Sequence, residues 1–294
     1  MEKIAIMVSR HSAFYSPLIG TIAGEFLAQE GLEATYATLQ PGQRSRHLLA
    51  SGEVDVMQSA VGSNWGPMAA GETNLPRHFA QINRRDGFFL AARDPAEPFD
   101  WKQLEGRNLI ADHGGQPMLM LRYATAQQGV DWSKINVIDA GGVDAMDAAF
   151  REGQGDFVHQ QGPAPQQLEI DSAAQVVASV GAAMPAVAFS SLAATSEFLQ
   201  SDRALAFTRA YRKSCEWART ADVEEVAFAE KPFFPEIGQH ALEAAIRAYR
   251  ELGCWEGDIE IPRDLYQQAL EVFLRGDAIR ERFAYEDVVS PPPT

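Results

Sequence analysis

HSAFYSPLIGTIAGEFLAQEGLEATY, residues 11–36, comes one residue after KIAIMVS, residues 3–9; together they read as strand, polar loop, helix, turn and strand. Lys3 to Ser9 is a short apolar run of the kind that fills a buried parallel strand. Ser16 is a favourable N-cap, and Pro17 suits a first helical turn. Leu18, Ile19, Ile22, Ala23, Phe26 and Leu27 recur at helical spacing, Gly31 stops the helix, and Glu33 to Leu39 resumes a strand. This is a βαβ unit whose first loop, Ser9 to Tyr15, lies at the carboxyl end of a strand, where open α/β sheets bind ligands.

The alternation continues along the chain. Gly42 to Ser51 reads as a helix, Val54 to Ser59 as a strand, and Asn64 to Met68 opens another helix. Arg77–Asn83 and Gly87–Arg93 read as strands before the turn-rich segment Asp94–Pro98. A second run follows: strand Asn108–Asp112, a helix from Pro117 to near Gly129, strand Ile135–Asp139, helix Val143–Glu152, then strands Asp156–His159 and Gln175–Val180. The pattern predicts an α/β fold of mainly parallel sheets flanked by helices. Pro185–Ser190 reads as a strand on the return crossover, matching an outward one near Gly87–Arg93. Two crossovers predict a discontinuous first lobe, 1–92 plus 188–294, and an inserted second lobe, 93–187. From Leu192 onward the expectation is mostly helix.

A chain of 294 residues, 46% hydrophobic and 22% charged, is long enough for two ordinary globular domains. Its net charge of −15 argues against nucleic acid, since the densest basic cluster is Arg84–Arg85. The two cysteines, Cys215 and Cys254, make no disulfide framework and read as buried thiols. No segment approaches the roughly 20 apolar residues of a membrane span. At the amino terminus IAIMV is too short for an export signal, so the sequence as given predicts a cytoplasmic protein; a signal omitted from it would place the protein in the periplasm.

FYSPLIG (14–20), GEFLAQEGLEATY (24–36) and LLASGEVDVMQSAVGS (48–63) resemble the SsuA/THI5-like solute-binding proteins of nitrate, sulfonate and thiamine-precursor ABC transporters. The resemblance extends to residues 104–139 and to YEDVV (285–289), and so covers most of the chain. It implies the two-lobe type II periplasmic-binding-protein fold, with two hinge crossovers and a ligand held in the interlobe cleft. It also implies binding without catalysis, a small ligand such as a sulfonate, another oxyanion or a heteroaromatic ring, and an ABC permease as partner.

The candidate ligand residues come from strand-end loops. In the first lobe they are Ser9, His11, Ser12, Tyr15, Ser59, Ser63, Asn64, Trp65 and Asn83; in the second, His113, Gly115, Gln116, His159 and Gln160, with Phe189 at the hinge. Three of these loops feed helix amino termini, which offer free backbone N–H groups to an acceptor. Tyr15, Trp65 and Phe189 are candidates for stacking on a planar ligand. On this reading Trp65→Ala weakens binding at least tenfold and leaves the fold intact. His11, His113 and His159 lie at or near strand ends but lack a compact metal signature, so no metal or cofactor is expected.

Enzyme readings meet specific obstacles. The pyrimidine synthases of this family use a lysine-bound pyridoxal phosphate and a cysteine-rich motif, and the sulfinate-cleaving relatives a cleft cysteine. Here no lysine falls in a candidate loop, and both cysteines sit in the helical tail. Ser12 with His11 or His113 lacks a nucleophile-elbow pattern. The alternatives left open are a cytoplasmic ligand sensor and an enzyme acting on a small anionic or heteroaromatic substrate.

Overall fold

The computed structural model describes residues 1–95, 97–111 and 115–294. Among these residues ten strands form two sheets of five. The first sheet holds β1 (Glu2–Val8), β2 (Leu32–Thr38), β3 (Val56–Ser59), β4 (Arg77–Asn83) and β10 (Ser190–Ala194), in the order β2-β1-β3-β10-β4. The second holds β5 (Phe88–Ala92), β6 (Asn108–Ala111), β7 (Asn136–Ile138), β8 (Phe157–Gln161) and β9 (Gln175–Ser179), in the order β7-β6-β8-β5-β9. β1 runs parallel to β2 and β3, while β10 is antiparallel to β3 and β4. The second sheet repeats the plan: β6 is parallel to β7 and β8, and β5 is antiparallel to β8 and β9.

In each sheet the antiparallel strand is the one that follows a chain crossing. The chain leaves the first sheet after Asn83 and enters the second at Phe88, so β5 belongs to the second sheet although its sequence lies before residue 93. The return brings Ser190–Ala194 between β3 and β4, where all five residues are buried. The sequence pattern ends a strand at Ser190 and continues as helix from Leu192; the structure begins a strand there instead. Ser-Ser-Leu-Ala-Ala has little strand propensity of its own, and partners on both sides override it.

The crossings pack on Phe14, from the loop after β1. Its ring lies 5.0 Å from that of Tyr249 and 5.5 Å from that of Phe189, and its carbonyl accepts from Asn83 Nδ2 at 2.7 Å and Trp255 Nε1 at 3.0 Å. Gly87 passes so close that a Cβ there would sit 2.3 Å from the Phe14 ring, so no side chain fits. Tyr249, on the helix Gln239–Glu251, is fully buried; its hydroxyl accepts from the Gly162 N–H at 2.7 Å and donates to the Gly87 carbonyl at 3.1 Å.

Two carboxyls are also fully buried here. Asp86, on the outward crossing, accepts from the Phe88 N–H at 2.7 Å, and burial pushes its pKa up to about 8. Glu230 lies 2.8 Å from Ser16 Oγ, and burial pushes it up to about 8 as well. Ser16 Oγ is also 2.8 Å from the Ala13 carbonyl; its single proton serves one of these contacts, and a protonated Glu230 supplies the other.

Tyr249→Phe leaves the buried Gly162 N–H without its acceptor and is expected to cost about 1–3 kcal/mol in urea denaturation. Both acids keep their proton in the folded chain at pH values where the unfolded chain has released it. Stability therefore falls as pH rises from the ordinary carboxylate range to about 8, by up to about 1.4 kcal/mol per pH unit for each group. Glu230→Gln is expected to reduce that slope, measured by denaturation at steps between pH 5 and 8; an unchanged slope would show that Glu230 is ionised in the fold.

Candidate functional site

The ends of β1, β3 and β8, the return passage before β10 and the start of the helix Gly115–Gln127 enclose a cavity of about 410 Å³. Walls from both sheets meet here because each sheet presents the carboxyl ends of its parallel strands to the other. Of the expected residues, Ser9, Tyr15, Ser59, Ser63, Gly115, Gln116 and Phe189 line it. Ser9 donates to Gln58 Oε1 through its hydroxyl at 2.7 Å and its N–H at 3.0 Å, which ties β1 to β3 at the cavity floor. Gln116 Nε2 donates to the Phe189 carbonyl at 2.7 Å, joining the helix start to the return passage. Tyr15 and Phe189 are only 3% and 4% exposed, so little of either ring is available for stacking.

Arg10, Gln58, Gln161 and Ser190 also line the cavity, and sequence reasoning passed over them. Arg10 is the one charged side chain among the described lining residues, and its guanidinium sits 5.6 Å over the Phe88 ring. Gln161 Nε2 donates to the Tyr15 hydroxyl at 3.4 Å, and its buried Oε1 has no hydrogen-bond partner. β8 runs two residues further than its apolar pattern indicates, so its cavity-facing end is Gln161.

The remaining expected residues are placed elsewhere. Ser12 is 2% exposed; its hydroxyl donates to the Gly162 carbonyl at 2.6 Å and accepts from the Phe14 N–H, a tie between the sheets rather than a cavity wall. Asn83 is fully buried outside the cavity lining, its Nδ2 donating to the Phe14 carbonyl and its Oδ1 without a hydrogen-bond partner. Asn64 donates to the Pro76 carbonyl at 2.7 Å and lines a neighbouring cavity. Gln160, on the other face of β8, donates to the Val143 carbonyl at 3.3 Å. His159 is fully buried and stacks on Phe88 at 4.5 Å, while His11 stacks on Phe234 and sits 2.7 Å from the Phe233 carbonyl. Burial lowers the His11 pKa. The two histidines therefore serve different surroundings, and His113 lies outside the described residues. Among the described residues no three His, Cys, Asp or Glu side chains are grouped to hold a metal ion. Burial pushes the Cys215 thiol up to about 12 and Cys254 well above its ordinary value, and neither lines the cavity.

A family model described as NMT1/THI5 like matches residues 15–250. YtlA of Bacillus subtilis (strain 168), a candidate binding protein, is 27% identical over 262 residues, 88% of this chain and 78% of that one. A ligand-binding component of an ABC-type import system from Staphylococcus aureus, solved with zinc bound, has a TM-score of 0.76 at 16% identity, over 99% of this chain and 97% of that chain. The periplasmic aliphatic sulphonate binding protein SsuA from Escherichia coli has a TM-score of 0.73 at 13% identity, over 98% and 97%. The two sheets and their helices are thus those of the two-lobe type II periplasmic-binding-protein fold. Among the described residues no helix is long and apolar enough to cross a membrane.

Trp65 is the largest departure from the expected site. Its side chain is fully buried, with Nε1 donating to the Tyr266 hydroxyl at 3.1 Å and its ring edge-on to Phe273 at 4.8 Å. It supports the loop from behind instead of facing a ligand. Trp65→Ala is therefore expected to cost about 3–5 kcal/mol of folding stability in urea; a loss below about 1 kcal/mol would return the ring to the cavity wall.

Proposed function

The chain belongs to the NMT1/THI5-like family, and from that premise we propose that it is the substrate-binding component of an ABC-type import system, clamping a small organic anion between its lobes. The observation that carries this reading is the make-up of the described cavity lining. A chain with 40 acidic and 25 basic residues leaves a cavity between its sheets whose described lining has Arg10 and no carboxylate. Around the guanidinium stand neutral donors, Ser9, Ser59, Ser63, Ser190 and Gln116, which suit acceptor oxygens. A volume of about 410 Å³ exceeds the needs of an inorganic ion and lies in the range of small organic ligands. The buried positions of Tyr15, Trp65 and Phe189 favour an oxyanion over a stacked ring.

Within this proposal the first lobe is the β2-β1-β3-β10-β4 sheet with its helices and the second the β7-β6-β8-β5-β9 sheet, so the crossings fall at residues 84–87 and between 180 and 189. Hinge closure about these two passages brings Gln116 and Gln161 onto a ligand seated against Arg10 and the serines. The partner is a membrane permease. The periplasmic relative favours the periplasm over the cytoplasmic placement expected from the amino-terminal sequence. Catalysis is not part of the proposal, which rests on the binding proteins among the relatives.

A thermal-shift panel of alkyl and aryl sulfonates, carboxylates, phosphonates, nitrate and pyrimidines tests it. A ligand at 100 times its Kd should add about 2.7 kcal/mol of stability, and the hit should be recovered chemically unchanged. Arg10→Gln should weaken that ligand at least tenfold with the fold retained. Conversion of the ligand would make the chain an enzyme, and a preference for neutral pyrimidines would remove Arg10 from its assigned role.

A further inference from the structure

Behind Ser59 and Ser63 lies a second cavity, of about 260 Å³, which shares Leu39, Ser45, Met57, Ser59 and Ser63 with the first as a common wall. Resting on the reading that the larger cavity holds an anion, we propose that this side chamber takes a second oxyanion arm of the same ligand, an elongated dianion.

The chamber repeats the charge selection of the cleft. Its charged lining is Arg44 and Arg46, again with no carboxylate among the described residues. Arg46 is held by Glu72 at 3.2 Å, whereas Arg44, on the exposed rim of the chamber, has no carboxylate partner among the described residues. A ligand with one charged end would fill only one of the two adjoining cavities, whereas one with an acceptor at each end can reach both.

The wall between the cavities has a fixed polarity. His78 is fully buried at the back of the chamber, its Nδ1 2.8 Å from Ser191 Oγ and its Nε2 3.4 Å from Ser63 Oγ. Burial lowers its pKa to about 3, so the ring is neutral and carries one proton. The buried Ser191 hydroxyl finds its acceptor in Nδ1, which places the ring proton on Nε2, toward Ser63. Ser63 Oγ also accepts from the Ser59 hydroxyl at 3.1 Å. With both acceptor positions engaged, the Ser63 O–H is free to donate toward the cavities, and it selects an acceptor atom where the two arms of a ligand would join.

Titration calorimetry of the full chain with matched probes tests the proposal: propane-1-sulfonate against 3-sulfopropanoate, butanoate against butanedioate, and propylphosphonate against 3-phosphonopropanoate. In at least one pair the dianion should bind ten times more tightly or better. Arg44→Gln should shrink that advantage to less than threefold and leave the monoanion within twofold of its original affinity. Equal affinities in every pair that binds would overturn the side-chamber assignment while preserving the anion reading of the larger cavity. An Arg44→Gln variant that weakens monoanion and dianion alike would also overturn it, by reducing Arg44 to a general field. Binding by no member of any pair would sink the anion reading and this inference together.

Discussion

The Tyr249 phenol sits at the junction of the two sheets. The Tyr249 hydroxyl takes the Gly162 N–H from the end of the second sheet and gives its own proton to Gly87 on the outward passage, with Phe14 wedged beside it. A buried backbone N–H must find an acceptor, and here the acceptor belongs to a helix of the opposite half. The passages can be narrow because Gly87 offers no side chain to the Phe14 ring. Ser12, bonding to the Gly162 carbonyl, closes the same junction from the β1 side. The cluster is dense in buried polar contacts, the Tyr249 hydroxyl lying within 3.5 Å of the Gly162 carbonyl as well.

The described lining of the cavity differs in composition from a chain of strongly negative net charge. Net charge is a property of the whole surface, whereas a recess responds to the few groups that face it across low-dielectric walls. Acidic side chains are kept from the described lining of both adjoining cavities, and arginine is admitted at three positions. The hydroxyls and amides in between are neutral and directional. They supply hydrogen-bonding groups to the recess without adding a further fixed charge.

The architecture was largely legible in the sequence, because hydrophobic alternation and turn residues mark strands and helices directly. The exceptions share a cause. Ser190–Ala194 has the composition of a helix or loop and becomes a strand only because β3 and β4 flank it. The cavity residues were legible where a loop of small polar residues follows a strand, as at Ser9, Ser59 and Ser63. They were misread where a side chain of the expected type is used up inside the fold, as at Asn83 and Trp65. Gln161 was missed by one position because β8 outruns its apolar segment, and a one-residue slip along a strand exchanges its faces. Arg10 lies in the Ser9–Tyr15 loop, where nothing local distinguishes an arginine that faces a cavity from one that faces solvent.

The placement of the two antiparallel strands also bears on how the chain is built during synthesis. β4 touches the first sheet only through β10, so for more than a hundred residues of elongation it has no strand neighbour. The inserted half closes earlier, since β5 through β9 are contiguous in the chain. Domain-wise folding on the ribosome therefore runs from the middle outward. The first half waits, with an open slot in its sheet, until residue 194 has been made. Long-range pairing of this kind is slow, and an open slot flanked by unpaired backbone is a site where a foreign strand can dock. The inner position of the crossing strand, which fixes the geometry of the finished cleft, thus leaves the first sheet incomplete until the chain has returned from the second.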